Sequence, residues 1–209
     1  MKQVLCVSLW LLGSMGVVMA EEKAELPKVL IIGDSISMGY TPPLAKLLAG
    51  KARVIHNKGN AAHTAHGLAN LDAWLGDTEW AVIHFNHGLH DLKHIGDPLK
   101  LQIPLAEYEK NMEAIVQRLK KTNAKLIFAT TTPFPKGVKP KRIPEDAVRY
   151  NDVALAIMKK HGVAVNDLYA FVLPQMETLQ RKVNVHFTPA GSKALAEEVE
   201  KHILKALEE

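Results

Sequence analysis

Cysteine is almost absent from this sequence. The one cysteine, Cys6, lies inside an apolar segment at the amino terminus. The rest of the chain therefore cannot form disulfides, thiolate metal sites or a cysteine nucleophile. A strong excess of charge of either sign is missing too, because 26 basic and 22 acidic residues give a formal net charge of +4. Such a balance gives no clear footprint for nucleic acid or an anionic membrane surface, so neither is expected as a partner.

Repeats, low-complexity tracts and linkers are also missing after residue 26. The 209 residues are 47% hydrophobic and 23% charged, which is ordinary for a folded globular protein. Strand-like and helix-like patterns alternate through this part of the chain, and the alternation predicts one continuous α/β domain.

The amino terminus has the pattern of a secretory signal. Lys2 precedes an apolar run over residues 4–18, and a small-residue cleavage site follows at residues 18–20. We therefore predict a signal peptide at residues 1–20, a domain at 21–209, and export to a periplasm or the cell exterior. The alternative is an uncleaved anchor, but the run is shorter than the roughly 20 residues a spanning helix needs. Stable membrane insertion is not expected.

Five short apolar runs have the character of strands buried on both faces of a parallel sheet. Between them, apolar stripes at helical spacing run from Tyr108 to Leu119 and from Leu195 to Ala206. Thr188 followed by proline is a good helix start, because threonine caps and proline needs no donor. The predicted strands are residues 29–32, 53–56, 81–85, 125–129 and 163–165.

Two distant segments carry residues suited to nucleophilic catalysis. Ser35 follows the first strand in the run Gly-Asp-Ser, and His186 stands just ahead of the last predicted helix. A serine hydroxyl is a poor nucleophile at its free pKa, and a histidine within hydrogen-bond reach can take its proton. Loops at the carboxyl ends of parallel strands converge, so Ser35 and the loops at 57–64 and 86–91 should meet there, with His186 joining them.

With these segments the sequence resembles the SGNH, or GDSL-like, hydrolases, a family of esterases. The resemblance covers most of residues 28–207. It implies a flavodoxin-like, three-layer α/β/α fold, here with a five-stranded parallel sheet, Ser35 as the nucleophile and no cofactor. Its four sequence blocks match residues 33–37, 57–64, 88–91 and 183–186.

The oxyanion-binding blocks depart from the family pattern. Ala62 aligns with the family glycine whose amide helps bind the oxyanion, and Gly59 is the alternative if the loop register differs. His90 replaces the asparagine of the family's Gly-x-Asn-Asp block. An imidazole N–H can donate to a developing oxyanion, and Asn86 is the alternative amide donor. The resemblance thus implies an oxyanion hole of the Ser35 amide, Ala62 and His90.

The fourth block lacks its acid. The family reads Asp-x-x-His, whereas residues 183–186 read Val-Asn-Val-His. An orienting carboxylate normally fixes the imidazole tautomer and stabilises its cation. Its absence predicts either a Ser-His pair held by a carbonyl or a substitute partner, for which Asn184 is the candidate. Asp91 and Asp167 could also supply a carboxylate, although the family analogy makes them structural.

The resemblance implies a serine esterase. We expect it to hydrolyse short-chain esters, above all acetyl esters, and carbohydrate O-acetyl groups are the leading substrate class. The partner is then a small-molecule or carbohydrate ester, while the oligomeric state is left open. One alternative on the same fold is a noncatalytic carbohydrate-binding protein whose contact surfaces are Tyr40, Trp74, Trp80 and His87.

A zinc-binding protein is the other alternative. Four histidines and Asp91 lie close together in sequence around the third strand, and imidazole and carboxylate groups suit zinc. However, His84 and His87 would project to opposite faces of a continuing strand, so no metal site is assigned. The histidines are His84, His87, His90 and His94, and His56, His63 and His66 could approach from the neighbouring loop.

A local basic stretch lies at residues 136–142. It contains three lysines and Arg142, interrupted by proline and glycine. This pattern favours a solvated loop.

Overall fold

The computed structural model describes residues 25–209 of the chain. The predicted signal peptide lies outside these residues. The strands, in chain order, are β1 (Lys28–Ile32), β2 (Arg53–His56), β3 (Val82–Phe85), β4 (His94–Ile95), β5 (Lys100–Leu101), β6 (Lys125–Ala129) and β7 (Ala164–Asn166). The α-helices are α1 (Ser35–Leu47), α2 (Thr64–Leu75), α3 (Leu105–Leu119), α4 (Pro144–His161), α5 (Leu168–Val172), α6 (Met176–Leu179) and α7 (Pro189–Glu208). Short 3₁₀ segments span Lys120–Thr122 and Leu173–Gln175.

The main sheet has five strands in the order β2-β1-β3-β6-β7, and every neighbouring pair is parallel. This confirms the predicted five-stranded parallel sheet, and each predicted strand ends within one residue of the observed one. The small antiparallel pair β4-β5 was not predicted. Two-residue strands are too short to show a hydrophobic period, so they leave no sequence signal.

Alternation along the strands divides the core into two halves. In β1, Leu30 and Ile32 pack on one face with α2, α3 and α4, while Val29 and Ile31 pack on the other face with α1 and α7. Both faces of the sheet are covered, as a parallel sheet requires. The result is the three-layer α/β/α architecture that the sequence predicts.

Strand order places the functional loops. The chain leaves β1 toward β2 on one side and returns to β3 on the other side, so the carboxyl ends of β1 and β3 flank a topological switch point. Crevices at such points are the usual ligand sites of open α/β sheets. Gly33 begins the turn after β1, and a Cβ there would lie 2.6 Å from Ser37 Oγ. The close approach of this turn to α1 therefore requires glycine.

None of the helices within residues 25–209 is long and apolar enough to cross a membrane.

Candidate active site

Ser35 and His186, 151 positions apart in sequence, lie in contact. Ser35 Oγ is 2.8 Å from His186 Nε2. Ser35 is the first residue of α1, and Asp34 caps the helix by accepting the Ile36 amide at 2.8 Å. The amide of Ser35 therefore sits at a helix start, where the helix itself supplies no carbonyl partner.

Asn184 fixes the orientation of the histidine. Its Oδ1 accepts the backbone N–H of His186 at 2.9 Å and lies 2.8 Å from the ring Nδ1. Because a backbone nitrogen can only donate, the atom facing it is the amide oxygen. The ring nitrogen beside the same oxygen must then carry a proton, which leaves Nε2 with its lone pair toward Ser35. This is the tautomer that a general base requires.

The alternative carboxylates lie elsewhere. Asp91 Oδ1 accepts both the amide and the hydroxyl of Thr64, at 2.8 and 2.6 Å. Asp167 Oδ1 accepts the Thr130 hydroxyl at 2.8 Å and the Ala170 amide at 3.1 Å, which caps α5. Both carboxylates thus support loops and helix starts.

The cap of α7 holds the His186 loop in place. Thr188 Oγ1 accepts the Gly191 amide at 3.0 Å and donates to the Leu179 carbonyl at 3.1 Å. The Arg181 amide donates to the His186 carbonyl at 2.9 Å. The predicted Thr-Pro helix start is confirmed, and it places the histidine one turn before a rigid element.

Ala62 does not present a free amide. Its N–H donates to Asn60 Oδ1 at 2.8 Å, so the amide has a partner within its own loop. That bond must open or be shared before the amide can contact substrate. Ala62 has a φ of 50°. This left-handed conformation is one that glycine adopts without strain, which agrees with the alignment of Ala62 to a family glycine. The alternative, Gly59, accepts the Asn57 side-chain amide through its carbonyl.

The two candidate side-chain donors to the oxyanion, Asn86 and His90, differ in their surroundings. Asn86 donates through Nδ2 to the Ala129 carbonyl at 2.7 Å, so this amide is committed to the end of β6. His90 lies with Nδ1 3.2 Å from Lys93 Nζ and with Nε2 3.8 Å from Asp34 Oδ2. Burial, followed by the charge of Lys93, lowers the pKa of His90 to about 3. His90 is therefore neutral at physiological pH.

Arg142 belongs to the buried support of this region, which corrects the prediction that it lies in a solvated loop. It is only 7% exposed, and its Nε donates to the Leu89 carbonyl at 2.9 Å. Its charge also acts on Asp34. Burial raises the pKa of Asp34, whereas the Ile36 amide and Arg142 act in the opposite direction.

The histidines considered as zinc ligands point to different partners. His84 Nε2 lies 3.2 Å from Asn166 Oδ1, His87 Nδ1 lies 3.3 Å from the Ala62 carbonyl, and His94 Nε2 lies 3.1 Å from an Asp146 carboxylate oxygen. Within residues 25–209 no three His, Cys, Asp or Glu residues are grouped so that they could hold a metal ion. The geometry gives the zinc alternative no support in this part of the chain.

The aromatic surface required by the carbohydrate-binding alternative is not formed. Tyr40, Trp80 and His87 are 2%, 8% and 2% exposed, and Trp74 packs against the core. The three buried rings cannot stack on a sugar, and the partly buried Trp74 alone does not form such a surface.

A cavity of about 210 Å³ adjoins the Ser35 hydroxyl, and its walls include His186, Phe187 and Arg181. A second groove of about 380 Å³ shares Arg181 with it. The nucleophile therefore opens into a small pocket, and a larger groove also contacts Arg181.

Residues 31–194 match the GDSL-like lipase/acylhydrolase family. The chain belongs to that family. It is therefore an ester hydrolase of the SGNH/GDSL type, as the four sequence blocks predict. Among curated proteins, no significant match was found.

Solved structures share the fold of this GDSL-like hydrolase. The acetyl xylan esterase AlAXEase is 17% identical, with a TM-score of 0.72 over 84% of this chain and 99% of its own. A lipase/acylhydrolase from Enterococcus faecalis is 22% identical, with a TM-score of 0.71 over 85% and 95%. A mutant of Axe2, an acetyl-xylooligosaccharide esterase from Geobacillus, is 20% identical, with a TM-score of 0.70 over 88% and 94%.

Sequence reasoning missed three residues that surround the site of this hydrolase. Asn60 holds the Ala62 amide, Lys93 contacts His90, and Arg142 acts on Asp34. The i, i+3 spacing of His90 and Lys93 could have indicated their contact. Arg142 gave no such signal, because its partners are backbone carbonyls brought in by the fold.

Proposed function

We propose that this protein hydrolyses short-chain esters, with acetyl groups on carbohydrates as its substrate class, through Ser35 and His186 oriented by Asn184. The observation that carries the proposal is the continuous chain from Ser35 Oγ to His186 Nε2 and from His186 Nδ1 to Asn184 Oδ1, with both links at 2.8 Å.

The first half of the reaction is acylation. Ser35 Oγ attacks the ester carbonyl while His186 Nε2 takes its proton, and the imidazolium that forms donates through Nδ1 to Asn184. When the tetrahedral intermediate collapses, the bond to the alcohol breaks and Nε2 returns the proton to the leaving oxygen. Water then repeats these steps on the acyl-serine and releases the acid.

Asn184 replaces part of what a carboxylate supplies. It fixes the tautomer and the ring plane as a carboxylate would, but it brings no negative charge to stabilise the imidazolium. A bond from a charged donor to a neutral oxygen remains stronger than a neutral bond. The substitution thus preserves the geometry at a cost in electrostatic stabilisation.

The Ser35 amide and the His90 Nε2–H stabilise the negative charge that develops on the carbonyl oxygen. The Ala62 amide joins them if its hydrogen bond to Asn60 opens. The Ser35 amide has no partner within its helix, and Nε2 of His90 is beyond hydrogen-bond distance from Asp34. The Ser35 amide belongs to the nucleophile itself, and His90 Nε2 faces the carboxylate of the residue before it, which supports both as donors.

The substrate class rests on size and on the neighbouring structures. A pocket of about 210 Å³ beside Ser35 suits a small acyl group, and the adjoining groove gives room for a bulkier alcohol. Two structures with this fold are described as esterases of acetyl xylan and acetyl-xylooligosaccharide. Both facts favour acetylated carbohydrate over a long-chain lipid.

Hydrolysis of a chromogenic acetyl ester tests the proposal. The wild-type protein should release the chromophore, and Ser35→Ala should abolish release while it leaves the urea unfolding midpoint within the range of surface variants. A paired assay with acetylated xylan and butyryl or longer esters tests the acyl preference. Hydrolysis by Ser35→Ala at the wild-type rate would refute the role of Ser35 as nucleophile. A preference for long acyl chains would refute the proposed substrate class.

We also propose export with cleavage after residue 20, on the strength of the apolar run and its small-residue end. Amino-terminal sequencing of the protein recovered from outside the cytoplasm should read Glu21 first. Recovery of the full-length chain in the cytoplasm would contradict this.

A further inference from the structure

His90 stands where the family uses asparagine, and the two side chains differ in one chemical respect. An amide donates at every ordinary pH, whereas an imidazole has two tautomers and can gain a proton. A histidine can replace the amide reliably only if something holds its proton on the correct nitrogen.

Lys93 makes the contact that settles the tautomer. Its Nζ lies 3.2 Å from His90 Nδ1. An ammonium has three donors and no lone pair, so the ring nitrogen facing it must be the acceptor. The proton of the neutral ring then sits on Nε2, the nitrogen that faces Asp34, the residue before the nucleophile.

The backbone around Lys93 is fixed. Its amide donates to the His90 carbonyl at 3.4 Å, and its carbonyl accepts the Gln102 amide at 2.6 Å. Two residues earlier, Asp91 accepts the Ile103 amide through its carbonyl at 3.0 Å. These bonds tie the segment to the two residues that follow β5, so the ammonium reaches the ring from a defined position.

Lys93 also disfavours the doubly protonated, positively charged form of His90. A protonated His90 would be drawn to the Asp34 carboxylate, which is 3.8 Å from Nε2, and would be withdrawn from a substrate oxyanion. A second proton on Nδ1 would place two positive charges 3.2 Å apart. Burial and the neighbouring cations lower the pKa of His90, against the pull of Asp34. The charged and titratable groups that act on the ring are Lys93, Arg142, His63, His87 and Asp34.

We propose that Lys93 is a positioning residue that keeps the His90 proton on Nε2, so that the histidine serves as a donor to the oxyanion that does not titrate, as an amide would. The inference rests on the proposed esterase function, and it adds a residue outside the family's four blocks to the catalytic arrangement.

The test is a double-mutant comparison of Lys93→Met in the wild-type and His90→Asn backgrounds. In the wild-type background, Lys93→Met should lower kcat on the acetyl ester roughly tenfold, which is less than the loss in kcat when an oxyanion donor is removed altogether. The pH profile of kcat should also gain an ionisation between pH 5 and 7. In the His90→Asn background the same change should alter kcat less than twofold, because an amide needs no tautomer control. Lys121→Met is the matched control and should leave activity unchanged, because this exposed lysine precedes the amino end of β6, at the edge of the sheet opposite Ser35.

Nitrogen-15 NMR of the His90 ring gives a readout that a merely structural role would not move. The spectrum should show a protonated Nε2 and an unprotonated Nδ1 from pH 5 to pH 8, and this pattern should be lost in Lys93→Met. An equal loss of kcat in both backgrounds, or a proton on Nδ1, would overturn the proposal. If the wild-type protein hydrolyses no ester, the proposed function fails, while the NMR result still confirms or refutes the control of the tautomer by Lys93.

Discussion

Removal of the Asn184 side chain tests the part of the site that departs most from its family. Asn184→Ala deletes the oxygen that accepts both the ring Nδ1–H and the backbone N–H of His186. In the resting enzyme the lost bond is between neutral groups and contributes about 1 kcal/mol. In the transition state its donor is a cation and the bond contributes about 1.5–3 kcal/mol.

The difference between those two states sets the expected effect. About 0.5–2 kcal/mol of transition-state stabilisation is lost, which is roughly 2–30-fold in rate, and the second tautomer adds about a further factor of two. Asn184→Ala should therefore lower kcat/KM roughly 5–60-fold. Asn184→Asp should raise it, because a carboxylate stabilises the imidazolium more strongly than an amide oxygen does.

Initial rates on a chromogenic acetyl ester, with urea unfolding of each variant, measure these effects. Asn70→Ala removes an amide of the same size from the surface of α2 and serves as the control. A change below twofold in Asn184→Ala would refute the reasoning. So would an Asn184→Asp variant as slow as the alanine variant, since the position would then matter for loop structure and not for the imidazole.

Three further outcomes concern stability. Arg142→Met should lower the free energy of unfolding by about 2–3 kcal/mol, because the buried Leu89 carbonyl loses its donor, and a lower urea midpoint at unchanged slope would show it. Burial lowers the pKa of His84 and of His87 to about 4. As the pH falls, these two histidines therefore gain a proton in the unfolded chain at a higher pH than they do in the folded protein. Stability should be complete above about pH 6.5 and fall by roughly 2 kcal/mol per histidine at pH 5, and His84→Gln should halve that loss. Thr188→Ala should cost about 1 kcal/mol through the lost cap of α7, whereas the serine variant should keep most of it.

The fold could be predicted because its signals are local. Each strand of the main sheet is an apolar run, and the blocks at the ends of β1 and β3 carry a family pattern. The strand order, and with it the switch point beside Ser35, was not predicted strand by strand, since no single run encodes its neighbours.

The site could be predicted only where the interacting residues lie in the same sequence block. Asn184 is two residues from His186, so the sequence alone could propose it as the partner of the histidine. The commitment of the Ala62 amide to Asn60 depends on the loop conformation, and the burial of Arg142 depends on carbonyls from distant segments. Such contacts arise from the packing of loops, which composition and spacing do not specify.

Covalent labelling with a serine-directed phosphonate tests the central claim most directly. The account predicts one adduct, mapped to Ser35 by peptide mass spectrometry, which forms much more slowly in His186→Ala because the hydroxyl keeps its proton. An adduct on any other residue, or equal labelling with and without the imidazole, would contradict it.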